Sequence, residues 1–162
     1  MLNNCLLPLT APKIFGGTTA NLGDFPHQVS VQKKSKLRDG SIRHDHFCGA
    51  SIIHPYLLLS AAHCFFERYT AEQVRVQAGV QEILTARSPP DAGQVRNVTK
   101  IFIHPAYNGA TWNNDIAILV LNESLQFNDY VKPIKLRDPT WKLPGYFCHT
   151  TTFKKYFLIP LD

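Results

Sequence analysis

The chain has 162 residues, 44% of them apolar and 18% charged, with a formal charge of +5 and an isoelectric point near 9.1. That length holds one domain with a real core, and the composition excludes a disordered polymer. No apolar run approaches the roughly 18 residues needed to span a bilayer, so no membrane partner is expected.

Met1 to Lys13 reads as a leader. It lacks a basic n-region, and Pro8 breaks its short apolar stretch, so it is not a convincing signal peptide. The readings that remain are a pro-segment remnant or a misassigned start. Gln28 to Gln32 alternates with period two and predicts a strand. The run Lys33-Lys34-Ser35-Lys36-Leu37-Arg38 follows, with a loop through Gly40. Such a run suits acidic surfaces or nucleic acid. No nucleic-acid motif accompanies it, so it reads as a solvated hairpin tip with no nucleic-acid partner. His46 to Ile53 predicts a second strand, His54-Pro55-Tyr56 a turn, and Leu57 to Ser60 a short buried strand. Ala61 to Phe66 suits one helical turn, and Val74 to Ala78 alternates again. Ser88 to Gly93 is a loop by its turn residues. Val95 to Ile103 predicts a long strand, Tyr107 to Asn114 a loop, and Ile116 to Leu121 a continuous apolar, buried strand. Six short strands without a long amphipathic helix predict an all-β fold, a small antiparallel six-stranded barrel.

The four cysteines, Cys5, Cys48, Cys64 and Cys148, contain no C-x-x-C spacing, which leaves a zinc ribbon or thioredoxin-type motif unsupported. His44-Asp45-His46 with His63 is a nonspecific set for zinc, so no metal and no cofactor are expected. Asn97-Val98-Thr99 and Asn122-Glu123-Ser124 are candidate glycosylation acceptors, weak as signals but compatible with secretion.

Four stretches stand in a telling order: Lys13-Ile14-Phe15-Gly16-Gly17, Cys48-Gly49-Ala50-Ser51, Leu59-Ser60-Ala61-Ala62-His63-Cys64 and Asn113-Asn114-Asp115-Ile116-Ala117. Together they resemble the first half of a trypsin- or chymotrypsin-like serine protease. Val131 to Leu136 is similar to the linker leaving that family's first barrel, and Gly145 to Cys148 to the opening of the second. The resemblance covers about residues 14–148. It implies a leader at 1–13, a first barrel and linker at 14–148, and a divergent tail at 149–162. Phe15 replaces the usual valine and Ala50 a usual glycine.

The resemblance implies activation by cleavage between Lys13 and Ile14, a Cys48–Cys64 disulfide, His63 as general base and Asp115 as the acid that orients it. Taken without it, His63 is more often a satisfied core residue, Asp115 is a strand-start cap, and the two cysteines are buried thiols. The family's nucleophile is not found. Ser124 is the last serine, Gly145 is the only glycine after Gly109, and no Gly-Asp-Ser-Gly occurs. Ser51 and Ser60 read as structural, and Cys148 matches a structural cysteine rather than a nucleophile. Such double barrels need about 200–250 residues. The expectation is therefore a serine-endopeptidase fragment, inactive alone, whose protein or peptide substrate awaits a second barrel. The alternatives are a secreted, non-catalytic homologue that binds a protein partner at its exposed barrel face, and a truncated product without function.

Overall fold

A computed structural model describes residues 20–80 and 93–136, together with the backbone of residues 150–154 and 157–161. Six strands form a closed barrel: β1 (Gln28–Lys36), β2 (Ile42–His54), β3 (Leu57–Ser60), β4 (Val74–Ala78), β5 (Gln94–Ile103) and β6 (Ala117–Leu121). The order around the barrel is β1-β2-β3-β6-β5-β4, and every neighbouring pair is antiparallel. Closure leaves few edges, which is how a small all-β domain avoids open pairing along its whole rim. Two further strands, β7 (Thr150–Lys154) and β8 (Phe157–Leu161), pair with each other in a separate hairpin. The sequence reading assigned no strands to that tail. Lys13, Ile14, Cys5 and Cys148 lie outside the described residues.

Alternation decides which side chains enter the core. Val29 and Val31 of β1, Val74, Val76 and Ala78 of β4, and Ala117, Leu119 and Leu121 of β6 share one cluster. Ile52, Leu58 and Leu119 are fully buried, and each contributes about 1.5–3 kcal/mol by leaving water. Phe65 and Phe47 close over one end edge-to-face, with ring centroids 5.9 Å apart.

The structure departs from the sequence reading at several places. β2 runs from Ile42 to His54, where the reading began at His46 and stopped at Ile53, and β5 begins one residue earlier, at Gln94. β1 does not end at Gln32 but runs to Lys36, and Lys33, Lys34 and Lys36 are strand residues paired with β2. Only Leu37 to Ser41 makes the tip, closed by the Leu37 and Gly40 amides. Lysines on a projecting hairpin carry no apolar period, so the pattern had nothing to follow there. β6 is not buried on both faces. Its inward residues are buried while Ile118 and Val120 are half-buried, as suits a strand in a one-layer barrel.

No helix among the described residues is long and apolar enough to cross a membrane.

Candidate functional site

His63 is held by the residues on either side of it. Leu57 to Ser60 pairs with β2 and β6, and the Ser60 hydroxyl donates to the Gly49 carbonyl at 2.8 Å. The chain then makes a single 3-10 turn, Ala62–Cys64, closed by the Phe65 amide on the Ala62 carbonyl. Ala62 and Cys64 are buried. Cys64 is disulfide-bonded to Cys48 of β2, with the Cα atoms 6.3 Å apart, an ordinary span for such a bridge. With both neighbours held inside, the His63 ring turns out of the barrel, its side chain 39% exposed.

Asp115 arrives from the loop before β6. Asn114 sits at φ 58°, a left-handed conformation that asparagine tolerates better than most residues. Its amide nitrogen Nδ2 donates to the Ala106 carbonyl at 2.9 Å. Asn108 braces the same loop, accepting from the Trp112 amide and, through Oδ1, from the Ala110 and Thr111 amides. The loop therefore delivers the carboxylate in a set orientation. Asp115 Oδ1 accepts the His63 backbone N–H at 2.8 Å, and Oδ2 lies 2.7 Å from His63 Nδ1.

Proton roles follow from chemistry. An ionised carboxylate only accepts, so Nδ1 carries the hydrogen. Nε2 lies 3.6 Å from Cys64 Sγ, and a disulfide sulfur has no proton to give. The lone pair on Nε2 of the neutral ring is then available to a reacting group. Burial pushes the Asp115 carboxyl up. Hydrogen bonds from the His63 amide and ring, the charge of that ring and the Ala62 amide outweigh it, so the carboxyl is held below its ordinary value.

A pH dependence follows. Because the folded value is depressed, the ionised carboxylate contributes stability that is complete above the unfolded value near 4 and is lost as pH falls through the folded value. Acid unfolding of the wild type is expected to steepen below about pH 4. Asp115→Asn removes that contribution, and denaturant titrations at several pH values should show a flatter profile. An identical profile in both proteins contradicts the assignment.

Beside the pair lies a cleft of ≈ 370 Å³ lined by His63, Phe66, Glu67, Arg68, Tyr107, Gly109 and Trp112. The Trp112 ring stands 5.1 Å from the His63 ring, and Phe66 meets Tyr107 edge-to-face at 5.3 Å. Trp112 and Glu67 both hold φ near +60° without being glycine. A bulky residue in that region costs of order 1–3 kcal/mol and tends to mark a functional surface. The sequence reading placed none of these lining aromatics in the site. Their only signal is the tryptophan just before Asn113-Asn114-Asp115.

His44 and His46 do not join His63 in a metal-ligand cluster among the described residues. His46 Nδ1 lies 2.9 Å from the Ser30 hydroxyl. Cys48, Cys64 and His63 do bring their ligand atoms within 4.8 Å of one another, but oxidised sulfur is not a thiolate ligand. Asn97 and Asn122 lie at the far end of β6 from Asp115. The Asn97 amide donates to Asn122 Oδ1 at 2.9 Å, and the Asn122 amide to the Asn97 carbonyl at 3.0 Å.

Comparison with known proteins gives one family. The Trypsin family model matches residues 14–149. Among curated proteins, the chain is 40% identical over 136 residues to transmembrane protease serine 9 of Rattus norvegicus, covering 83% of this chain and 12% of that protein. It is 36% identical to hypodermin-A of Hypoderma lineatum, covering 76% of this chain and 42% of that one. It is 35% identical to a trypsin of Phaedon cochleariae, covering 76% and 43% respectively. The chain thus spans less than half the length of each of these relatives.

Proposed function

Because the chain belongs to the trypsin family of serine proteases, we propose that it supplies the proton-handling half of a serine endopeptidase: His63 as general base and Asp115 as the acid that orients it. The observation that carries this reading is the double grip of Asp115, through Oδ1 on the His63 amide and Oδ2 on Nδ1. A strand-start cap has no need of the imidazole. In the reaction, the serine hydroxyl proton passes to Nε2 as the oxygen attacks the scissile carbonyl. The same proton then goes to the leaving amine. Asp115 stabilises the imidazolium that forms between these steps.

No serine occurs between Leu125 and Asp162, so the nucleophile, the oxyanion donors and the specificity pocket come from polypeptide outside these 162 residues. On this reading the isolated chain does not hydrolyse peptides. Residues 14–148 are the working unit, freed by cleavage between Lys13 and Ile14, and the substrate is a protein or peptide. An outward apolar row supports association with further polypeptide: Phe102 of β5 pairs with Ile118 of β6, which pairs with Leu59 of β3. Secretion belongs to the same reading, supported by the Cys48–Cys64 bridge. The exposed Asn97 and Asn122 are the glycan acceptors.

The test joins residues 14–148 to the second half of the Phaedon cochleariae trypsin and follows turnover of a peptide amide. Activity that disappears in His63→Ala supports the reading. Activity that survives it refutes the assigned base.

A further inference from the structure

The β1–β2 hairpin projects beyond the barrel. β4 pairs with β1 only from Val29 to Lys33. From Lys34 to Lys36, β1 pairs with β2 alone, and no strand covers its other edge among the described residues. An uncovered edge of this kind presents backbone donors and acceptors to an incoming strand.

The same segment concentrates the chain's positive charge. Between Lys33 and Asp45 there are five basic side chains and two acidic ones, a net of three positive charges in a chain of +5. Asp45 is already occupied, 2.8 Å from Arg43 and accepting the Ser35 hydroxyl at 3.0 Å. Asp39 is turned to the tip, where it accepts from Ser41. Lys36 and Arg38 make no ion pair among the described residues.

Alternation sorts these side chains. Val29 and Val31 enter the core. On the other face of β1 Gln32 is fully buried, while Lys34 and Lys36 are exposed, the Lys34 ammonium donating one of its hydrogens to the Glu72 carbonyl at 2.8 Å. Register places His44 opposite Lys34, Ile42 opposite Lys36 and Arg75 opposite Gln32. Arg75 Nε donates to Gln32 Oε1 at 2.8 Å, which fixes its cationic head at the base of the row. The His44 imidazole is held below its ordinary value by burial first and then by Arg75 and Lys34, against the pull of Asp45. Two apolar side chains flank them, Ile42 at 63% exposure and Leu37 at 38%.

We infer that this outward hairpin face binds an extended acidic polypeptide segment, docked along the free edge of β1. Alternate residues of a strand lie about 7 Å apart on one face. Lys34 and Lys36 therefore match acids at every second position of an added strand, and the residues around Ile42 match its apolar side chains. The net positive charge of the hairpin complements an acidic partner and disfavours a second copy of this basic chain as the occupant. The inference stands on the hairpin alone and is independent of the catalytic reading.

The test uses the whole chain and a fluorescein-labelled peptide of about ten residues alternating glutamate and valine, read by anisotropy. Saturable binding is expected, weakening about tenfold between roughly 50 mM and 300 mM salt. Lys36→Glu with Arg38→Glu should weaken it about tenfold or more, and Lys36→Gln with Arg38→Gln severalfold. Both pairs change exposed side chains only, and an unaltered near-ultraviolet circular dichroism spectrum confirms the fold. Ile42→Ser should lower affinity a few-fold, and hydrogen exchange of the Lys34 to Lys36 amides should slow when peptide binds. Absence of peptide binding, or binding indifferent to the Lys36 and Arg38 pairs, overturns the inference. So does tighter binding of a sulfated oligosaccharide that ignores Ile42→Ser, because that describes a polyanion surface.

Discussion

Asp115→Asn, placed in residues 14–148 joined to a trypsin second half, is expected to lower kcat by about four orders of magnitude. That figure is the established one for this family's triad. The cause is the tautomer. Asp115 accepts at both oxygens, one from the His63 amide and one from Nδ1–H. Asparagine keeps one acceptor and gains an N–H donor. If its oxygen stays on the His63 amide, its N–H faces Nδ1, and the ring proton moves to Nε2. The base then has no lone pair where the serine hydroxyl arrives. KM should change little, since Asp115 lies behind the ring and not in the Trp112 cleft, so kcat carries the loss. An unchanged kcat contradicts the role assigned to Asp115.

Removing the bridge with Cys48→Ala and Cys64→Ala is expected to cost about 3 kcal/mol in the chain-entropy account. The two cysteines are separated by 16 positions, and without the bond the unfolded chain regains the freedom of that loop. A loss of this size lowers the folding constant about 150-fold and the melting temperature by roughly 10 °C. The local effect is sharper, because Cys64 is the residue after His63 and is buried. Freed from β2, the 3-10 turn has one anchor fewer, and the His63–Asp115 geometry loosens before the barrel opens. Thermal unfolding by circular dichroism checks the first claim. A melting temperature unchanged in the double variant contradicts it.

Much of the barrel was legible because its strands obey period two. Leu57–Ser60 and Val74–Ala78 have the bounds the pattern gave them. The pattern failed where charge replaced alternation, in the outer half of β1 from Lys33 to Lys36. It also failed where an unbroken apolar run concealed a half-exposed face, at Ile118 and Val120 of β6. The short 3-10 turn Ala71–Gln73 went unread, although the Gln73 side chain accepting from the Thr70 amide follows from a Thr-x-x-Gln spacing.

The site divides in the same way. His63 and Asp115 were singled out through short motifs, and the structure brings the two into contact. Phe66, Tyr107 and Trp112 were not, since loop aromatics have no period to betray them. Trp112 also occupies a left-handed backbone conformation that its own preference disfavours. What places it there is the loop's hydrogen bonding to Asn108, a tertiary fact.

The most direct measurement is the nitrogen-15 spectrum of the His63 ring in the oxidised chain, at a pH where the ring is neutral. Protonated Nδ1 with unprotonated Nε2 is the result expected from the grip of Asp115, and in Asp115→Asn the two nitrogens should exchange roles. A wild-type ring with its hydrogen on Nε2 would contradict the account.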